Sequence, residues 1–391
     1  MLAFKLAFKN LIGAGLRTWL NVFVLSLAFV IIIFYNGWLE GWNQQARTDT
    51  INWEIGGGQL WGKGFDPYDP FTYTESQQKL TADQITEIEK GNLVPELITQ
   101  ATAYPENGMQ TVLLKGIKAN QTILNLPTSM LTGHSNEIKV IIGQSTANQL
   151  KIKKNELLTL RWRDKNGVFD ANEVRIADVF NCNVPTVDAG QIWISIDDLW
   201  TMISAGNEAN VLVTKTGYDV SKLNTGNWEF KDNNYLLKDI DTVIKGKKAG
   251  SSILYGFILL LALLAIFDTQ VLSIFRRQKE IGTYIALGMT RAKVIQLFTI
   301  EGAAHSILAI LLGALWGFPL LFCLSKKGIT IPMKTEDMGL PFAETMFPVY
   351  GFWLVVGTMI FIIISATIVS YLPARKITKL NPTDALKGKI S

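Results

Sequence analysis

Four apolar runs, each about 20 residues or longer, restrict this chain more than any other feature, because a run of that length matches the hydrocarbon thickness of a bilayer. They lie at Trp19–Trp38, Ile253–Phe275, within Val294–Leu324, and within Phe347–Tyr371. The chain of 391 residues is 48% hydrophobic and 18% charged, too apolar for an ordinary soluble protein. Between the first two runs stand roughly two hundred residues of mixed polarity, enough for a folded domain of their own.

Orientation follows from the lysines and arginines beside the runs. Lys5, Lys9 and Arg17 precede the first; Arg276, Arg277, Lys279, Arg291 and Lys293 lie between the second and third; Arg375, Lys376, Lys379, Lys387 and Lys389 follow the fourth. The link between the third and fourth is balanced, with Lys326, Lys327 and Lys334 against Glu336, Asp337 and Glu344. Three basic segments on one side require an even number of crossings, so both termini are expected in the cytoplasm and the large domain outside. The first run is expected to be retained rather than cleaved. Its apolar core is longer than a signal peptide's, Tyr35-Asn36-Gly37-Trp38 is a poor cleavage site, and Trp19, Tyr35, Trp38 and Trp42 suit interfacial anchors. Leu2, Phe4, Leu6, Phe8 and Leu11 among lysines predict a helix on the inner membrane surface.

The expected division is a cytoplasmic amphipathic helix (1–17), a first span (18–39), a large external domain (40–250), and a second span (251–275). A cytoplasmic link (276–293), a third span (294–324), a short external loop (325–346), a fourth span (347–372) and a cytoplasmic tail (373–391) follow. The external domain reads as α+β. Strand-like runs are 111–118, 139–143, 157–162, 173–180, 191–195 and 210–214, and helical pieces are 144–152 and 195–203. Thr81 with Gln84 predicts a capping box, and Asn166-Gly167 a hairpin turn.

Most catalytic and binding classes find no residues here. Cys182 and Cys323 do not make a disulfide framework, and neither they nor His134 and His305 have metal-site spacing. The modest charge sits beside the apolar runs, which argues against a nucleic-acid partner. No Gly-x-Ser-x-Gly or His-Glu-x-x-His motif occurs, and Asp197-Asp198 read as a solvated face or a helix cap. "IGGGQLWGKG" (55–64) imitates a phosphate loop through Gly57, Gly62 and Lys63, but Gly64 stands where a magnesium-binding Ser or Thr belongs. It reads as a Gly-rich strand and turn, so no nucleotide site is expected in this chain. Lys245, Lys247 and Lys248 read as surface anchors of the second run. Glu301 and His305, four residues apart, are placed to pair with each other, and Asp268 to pair with a neighbouring helix or reach toward the interface.

The link "RRQKEIGTYIALGMTRAKVIQLFTIEG" (276–302) reads as a short basic helix broken at Gly282 and Gly288. Arg277 and Glu280 fall on one face, and Ile281, Tyr284, Ile285 and Leu287 offer an apolar contact to a cytoplasmic partner. By composition alone its cations could serve only as orientation signals.

This link resembles the FtsX-like (MacB-type) permeases of ABC transporters through Arg277, Glu280, Ile281, Gly282, Ala286, Leu287, Gly288, Phe298 and Glu301, with Val294 at a position where the pattern has Ile. The pattern's acid ahead of the motif arginine is replaced by Arg276. The tail resembles the same family through Pro373, Ala374, Arg375, Pro382, Ala385 and Leu386. Segments 56–65 and 140–160 are similar to the lipoprotein-releasing branch, without its His and with Asn155-Glu156 in place of Gly-Asp.

The resemblance implies a multi-pass subunit of the bacterial inner membrane with no cofactor and no hydrolytic activity of its own. Its implied partners are a cytoplasmic ABC ATPase dimer, which would bind the magnesium–ATP, a second permease copy or paralogue, and a lipoprotein or other amphiphile as cargo. A scaffold that switches a cell-wall hydrolase, or a drug or peptide efflux permease, are the alternative roles. The topology is directly testable. Cysteines introduced at Ser76 and Ser221 are expected to react with an impermeant reagent in intact cells, and one at Thr290 only after permeabilisation.

Overall fold

A computed structural model describes residues 16–106, 108–132, 137–330 and 345–379. Residues 1–15, His134, Pro382, Ala385 and Leu386, and with them the expected surface helix and the second half of the tail motif, lie outside the described residues. The chain divides into two units. Among the described residues, one comprises 16–42, 243–330 and 345–379, and the other lies within 43–242.

Among the described residues, four helices are long and apolar enough to cross a membrane: Leu16–Thr50, Lys238–Arg276, Arg291–Lys327 and Phe352–Ala374. The first three run past the apolar segments read from sequence, because nothing in their polar flanks breaks a helix. The fourth begins later than expected, since Phe347–Gly351 is not helical and Gly351 is its N-cap. Val22, Leu25, Phe29 and Ile33 of the first helix pack with Leu259, Ala262 and Ile266 of the second, Ala309 and Ile310 of the third, and Ile362 and Ala366 of the fourth. Phe257, Leu261, Leu315, Phe318 and Phe361 point outward and stay exposed. An apolar perimeter around an apolar interior is what lipid as solvent permits and water does not.

The second unit is α+β. Its strands are β1 (Gln59–Gly62), β2 (Gln78–Lys79), β3 (Leu93–Tyr104), β4 (Gln110–Ile117), β5 (Ile138–Gly143), β6 (Leu157–Arg163), β7 (Phe169–Phe180), β8 (Gln191–Ser195), β9 (Glu208–Ala209), β10 (Val211–Thr214) and β11 (Trp228–Lys231). Nine of them form one sheet in the order β11-β1-β10-β3-β4-β8-β5-β7-β6. β3 also pairs with β6, so β3-β4-β8-β5-β7-β6 closes into a six-stranded ring. Leu97, Leu114, Val140, Ile142, Leu160, Trp162, Ile176 and Ile194 belong to one core cluster of that ring, which Ile196 and Leu199 of the helix Ile196–Met202 join. A closed ring leaves fewer unpaired strand edges than an open sheet.

Local sequence signals appear where expected. Thr81 and Gln84 form the capping box, and Gly167, at φ 86°, turns the chain between β6 and β7. The segment 55–64 is β1 with its turns, and Gly62 is required by packing, since a Cβ there would meet the Ser76 carbonyl oxygen at 2.2 Å. The expectation for Ser76 fails. Ser76 is buried with its hydroxyl accepting from Asn210 Nδ2 at 3.0 Å, so of the two proposed outer probe positions only Ser221 is exposed.

Asn210 is fully buried. Its Nδ2 also donates to the Tyr73 carbonyl at 2.7 Å, and its Oδ1 accepts from the Ile98 amide at 2.8 Å. Asn210→Ala strands these partners and is expected to destabilise the unit by about 2–4 kcal/mol, whereas Lys63→Ala on an exposed turn should change stability by less than about 0.5 kcal/mol. Thermal unfolding of the full chain in detergent, followed by near-ultraviolet dichroism, orders the two variants.

Candidate functional site: the link between the second and third spans

The second spanning helix ends at Arg276, and a separate helix, Gln278–Ala286, follows Arg277. The expected break at Gly282 is absent: Gly282 is buried inside the helix. Gly288 does end it. Its φ of +92° is a conformation that side chains with a Cβ rarely adopt. The Gly288 amide donates to the Ile285 carbonyl and the Met289 amide to the Tyr284 carbonyl, both at 3.0 Å. This pair of bonds is a Schellman cap, and it holds Leu287 outside the helix end. Leu287 is 80% exposed.

The short helix is two-faced. Ile281 is completely buried in a cluster with Ile274, Val294, Phe298, Ala374 and Ile377, and half-buried Tyr284 and Ile285 pack on it. Lys279, Glu280, Thr283, Ala286, Leu287, Met289 and Thr290 are exposed. Of the four apolar residues expected to meet a partner, three therefore face the protein's own spans. A short helix needs an apolar stripe to be held at all, and of the four Leu287 remains for an outside contact.

Arg277 stands at the start of this helix. Its Nε donates to Glu280 Oε2 at 2.7 Å, the pair expected from the i,i+3 spacing. Its Nη1 donates to both Glu301 oxygens, at 2.9 and 2.8 Å, and its guanidinium lies 4.8 Å from the centre of the Phe298 ring. Glu301 therefore pairs with Arg277 and not with His305, whose Nδ1 lies 3.2 Å from the backbone carbonyls of Glu301 and Gly302. Asp268 is exposed and retains a polar contact of its own.

The tail residues meet the link from the fourth helix. Pro373 is buried in its last turn, Ala374 joins the Ile281 cluster, and Arg375 opens the turn Arg375–Lys379 with its side chain exposed. Above this cluster the helices come close: a Cβ on Gly302 would meet Ser370 Oγ at 2.3 Å and Gln270 Nε2 at 2.9 Å. Gln270 and Ser370 are functional candidates that sequence spacing assigned to no partner, and Glu301 is one that spacing assigned to His305, since their contacts join positions far apart in the chain.

With this geometry the comparison with known families is decisive for the second half of the chain. Residues 252–382 match the family described as FtsX-like permease C-terminal. They are an FtsX-like permease domain. An uncharacterized ABC transporter permease of Methanocaldococcus jannaschii is 23% identical over 260 residues, covering 64% of this chain and 62% of that protein. The uncharacterized ABC transporter permease YknZ of Bacillus subtilis is 26% identical over 268 residues, covering 63% of this chain and 61% of that protein. The chain thus spans a little over three fifths of the length of both relatives. Among solved structures, the periplasmic region of MacB from Actinobacillus actinomycetemcomitans aligns at 11% identity with a TM-score of 0.32, covering 48% of this chain and 94% of that one.

In the FtsX-like domain Gly288→Val forces a β-branched residue into left-handed backbone and should cost about 1–3 kcal/mol locally. Nothing lies within 4 Å of a Cβ there, so the cost is conformational and not a clash. Amide exchange across Tyr284–Met289 is expected to accelerate in Gly288→Val and to change less in Gly288→Asn, with the spanning helices unaffected.

Proposed function

We propose that the chain is the membrane subunit of an ABC system, coupled through Gln278–Ala286 and its Leu287–Thr290 cap to an ATPase carried on a separate polypeptide. One observation carries this reading: a short helix between two spans has its inner face fixed on the protein's own core, while a glycine cap holds Leu287 out, exposed. Exposing a leucine on a rigid support costs free energy unless something covers it, and rigid apolar anchors are efficient contact residues. The orientation implied by the flanking lysines and arginines puts that anchor on the cytoplasmic side, where ATP is available. The FtsX-like domain and the permease names of both relatives support the same assignment.

The transmitted motion is proposed to act on a lipid-anchored protein or another amphiphile, with two membrane subunits working as a pair. The helix perimeter is apolar and the midsection of the bundle is packed with Leu, Ile, Phe and Ala. Such walls make a poor path for a hydrophilic solute and suit a cargo that stays in contact with lipid.

Leu287→Asp and Glu280→Lys are expected to reach the membrane at normal levels, because no span is altered, and to lose the ATPase that co-purifies with the parent chain. Retention of that ATPase with unchanged turnover would refute the coupling role. Mass spectrometry of material purified in mild detergent should find an acylated polypeptide. A bound soluble hydrolase with no acyl chain would point to switching of an external enzyme instead.

A further inference from the structure

The three acceptors around Arg277 are unequal, and the inequality says where force entering the short helix goes. Glu280 is largely exposed, so its ion pair is screened by water and contributes little. Glu301 is buried within the third spanning helix and receives the guanidinium through both oxygens, while the Phe298 ring covers the cation. Charge-assisted bonds of this geometry persist only when both partners are held, and removing one leaves the other charge stranded in a poor solvent.

The surroundings of Glu301 extend the same fixation. The next residue, Gly302, lies against Gln270 of the second spanning helix and Ser370 of the fourth. Gln270 and Ser370 are both buried, and the Ser370 hydroxyl donates to the Ala366 carbonyl at 2.7 Å. Ile281 of the short helix shares one apolar cluster with Val294, Phe298, Ala374 and Ile377. Three spans and the short helix are therefore joined within one turn of Glu301. A flexible loop at this place would absorb displacement; a doubly bonded latch passes it on.

We infer that Glu301 is a positioning residue for coupling. It fixes the Gln278–Ala286 helix to the third span, so that displacement of the helix moves the inner ends of the second, third and fourth spans as one body. This rests on the reading of that helix as the ATPase-coupling element.

The test uses the full chain in lipid nanodiscs, alone and with its co-purifying ATPase. The variants are Glu301→Gln, Glu301→Asp, the double variant Arg277→Gln with Glu301→Gln, and Ser306→Ala as a buried comparator on the same helix. In the chain alone, amide exchange across Gln278–Ala286 should rise at least about tenfold in Glu301→Gln and in the double variant, with Glu301→Asp intermediate and Ser306→Ala unchanged. With the ATPase bound, Glu301→Gln should lose the ATP-dependent change in mobility of a spin label at Ser221→Cys that is expected of the parent chain. Should Glu301→Gln fail to fold, the double variant, which strands no charge, carries the same readouts. Unchanged exchange together with an intact ATP-dependent signal in either variant would overturn the inference. A parent chain that binds no ATPase would instead overturn the coupling reading, while the exchange measurement would still report the latch.

Discussion

A guanidinium that loses water at the edge of an apolar bundle must find acceptors within the protein, and Arg277 finds them in Glu301 and Glu280. The desolvation of that cation organises what surrounds it. Glu301 can be buried only because Arg277 neutralises it, and Phe298 covers the pair on its apolar side. The short helix then has a fixed origin at Arg277, and Ile281 reaches the cluster built by Val294, Phe298, Ala374 and Ile377. With its inner face occupied, the helix offers an apolar contact at its capped end, where Gly288 turns Leu287 outward.

The two units answer to different solvents. In the spanning unit, backbone groups are satisfied within helices, and apolar side chains line both interior and perimeter. In the α+β unit the strands of a six-membered ring alternate sides, with Leu97, Leu160, Ile176 and Ile194 in one core cluster and Ile98, Ile117, Ile141 and Trp193 in another. The Gly-rich stretch that imitates a phosphate loop belongs to this second unit, and two of its glycines are explained by packing. Gly57 and Gly62 lie where a Cβ would strike the carbonyl oxygens of Lys215 and Ser76.

Much of this architecture is legible in the sequence. Apolar runs announce spans because bilayer thickness sets one length for all of them. Runs such as 191–195 and 157–162 revealed β8 and most of β6 through their β-branched and aromatic content. The longest strands escaped or were shortened for physical reasons. β3 carries Pro95 and Glu96 in its first half, residues that argue against a buried strand, yet Glu96 is buried beside Lys115, whose ammonium lies 3.8 Å away. Burial pushes the Glu96 carboxyl above its ordinary range, and Lys115 opposes that shift. β7 begins at Phe169 rather than Glu173 because pairing with β6 extends it, a non-local effect. In the link, Arg277–Glu280 was legible because helical spacing encodes it. Arg277–Glu301 was not, since it joins residues 24 apart across two turns, and i,i+4 spacing pointed to His305 instead.

Cross-linking mass spectrometry on native membranes tests the central claim most directly. Lys279 lies in the first turn of the short helix and Lys293 shortly after its cap, and both are exposed. An amine-reactive cross-linker should join one or both of them to a separate nucleotide-binding polypeptide, while Lys222, an exposed lysine of the α+β unit, is joined to none. Cross-links from Lys279 or Lys293 only to this chain or to proteins without a nucleotide-binding domain, or cross-links from Lys222 to the nucleotide-binding partner, would contradict the account.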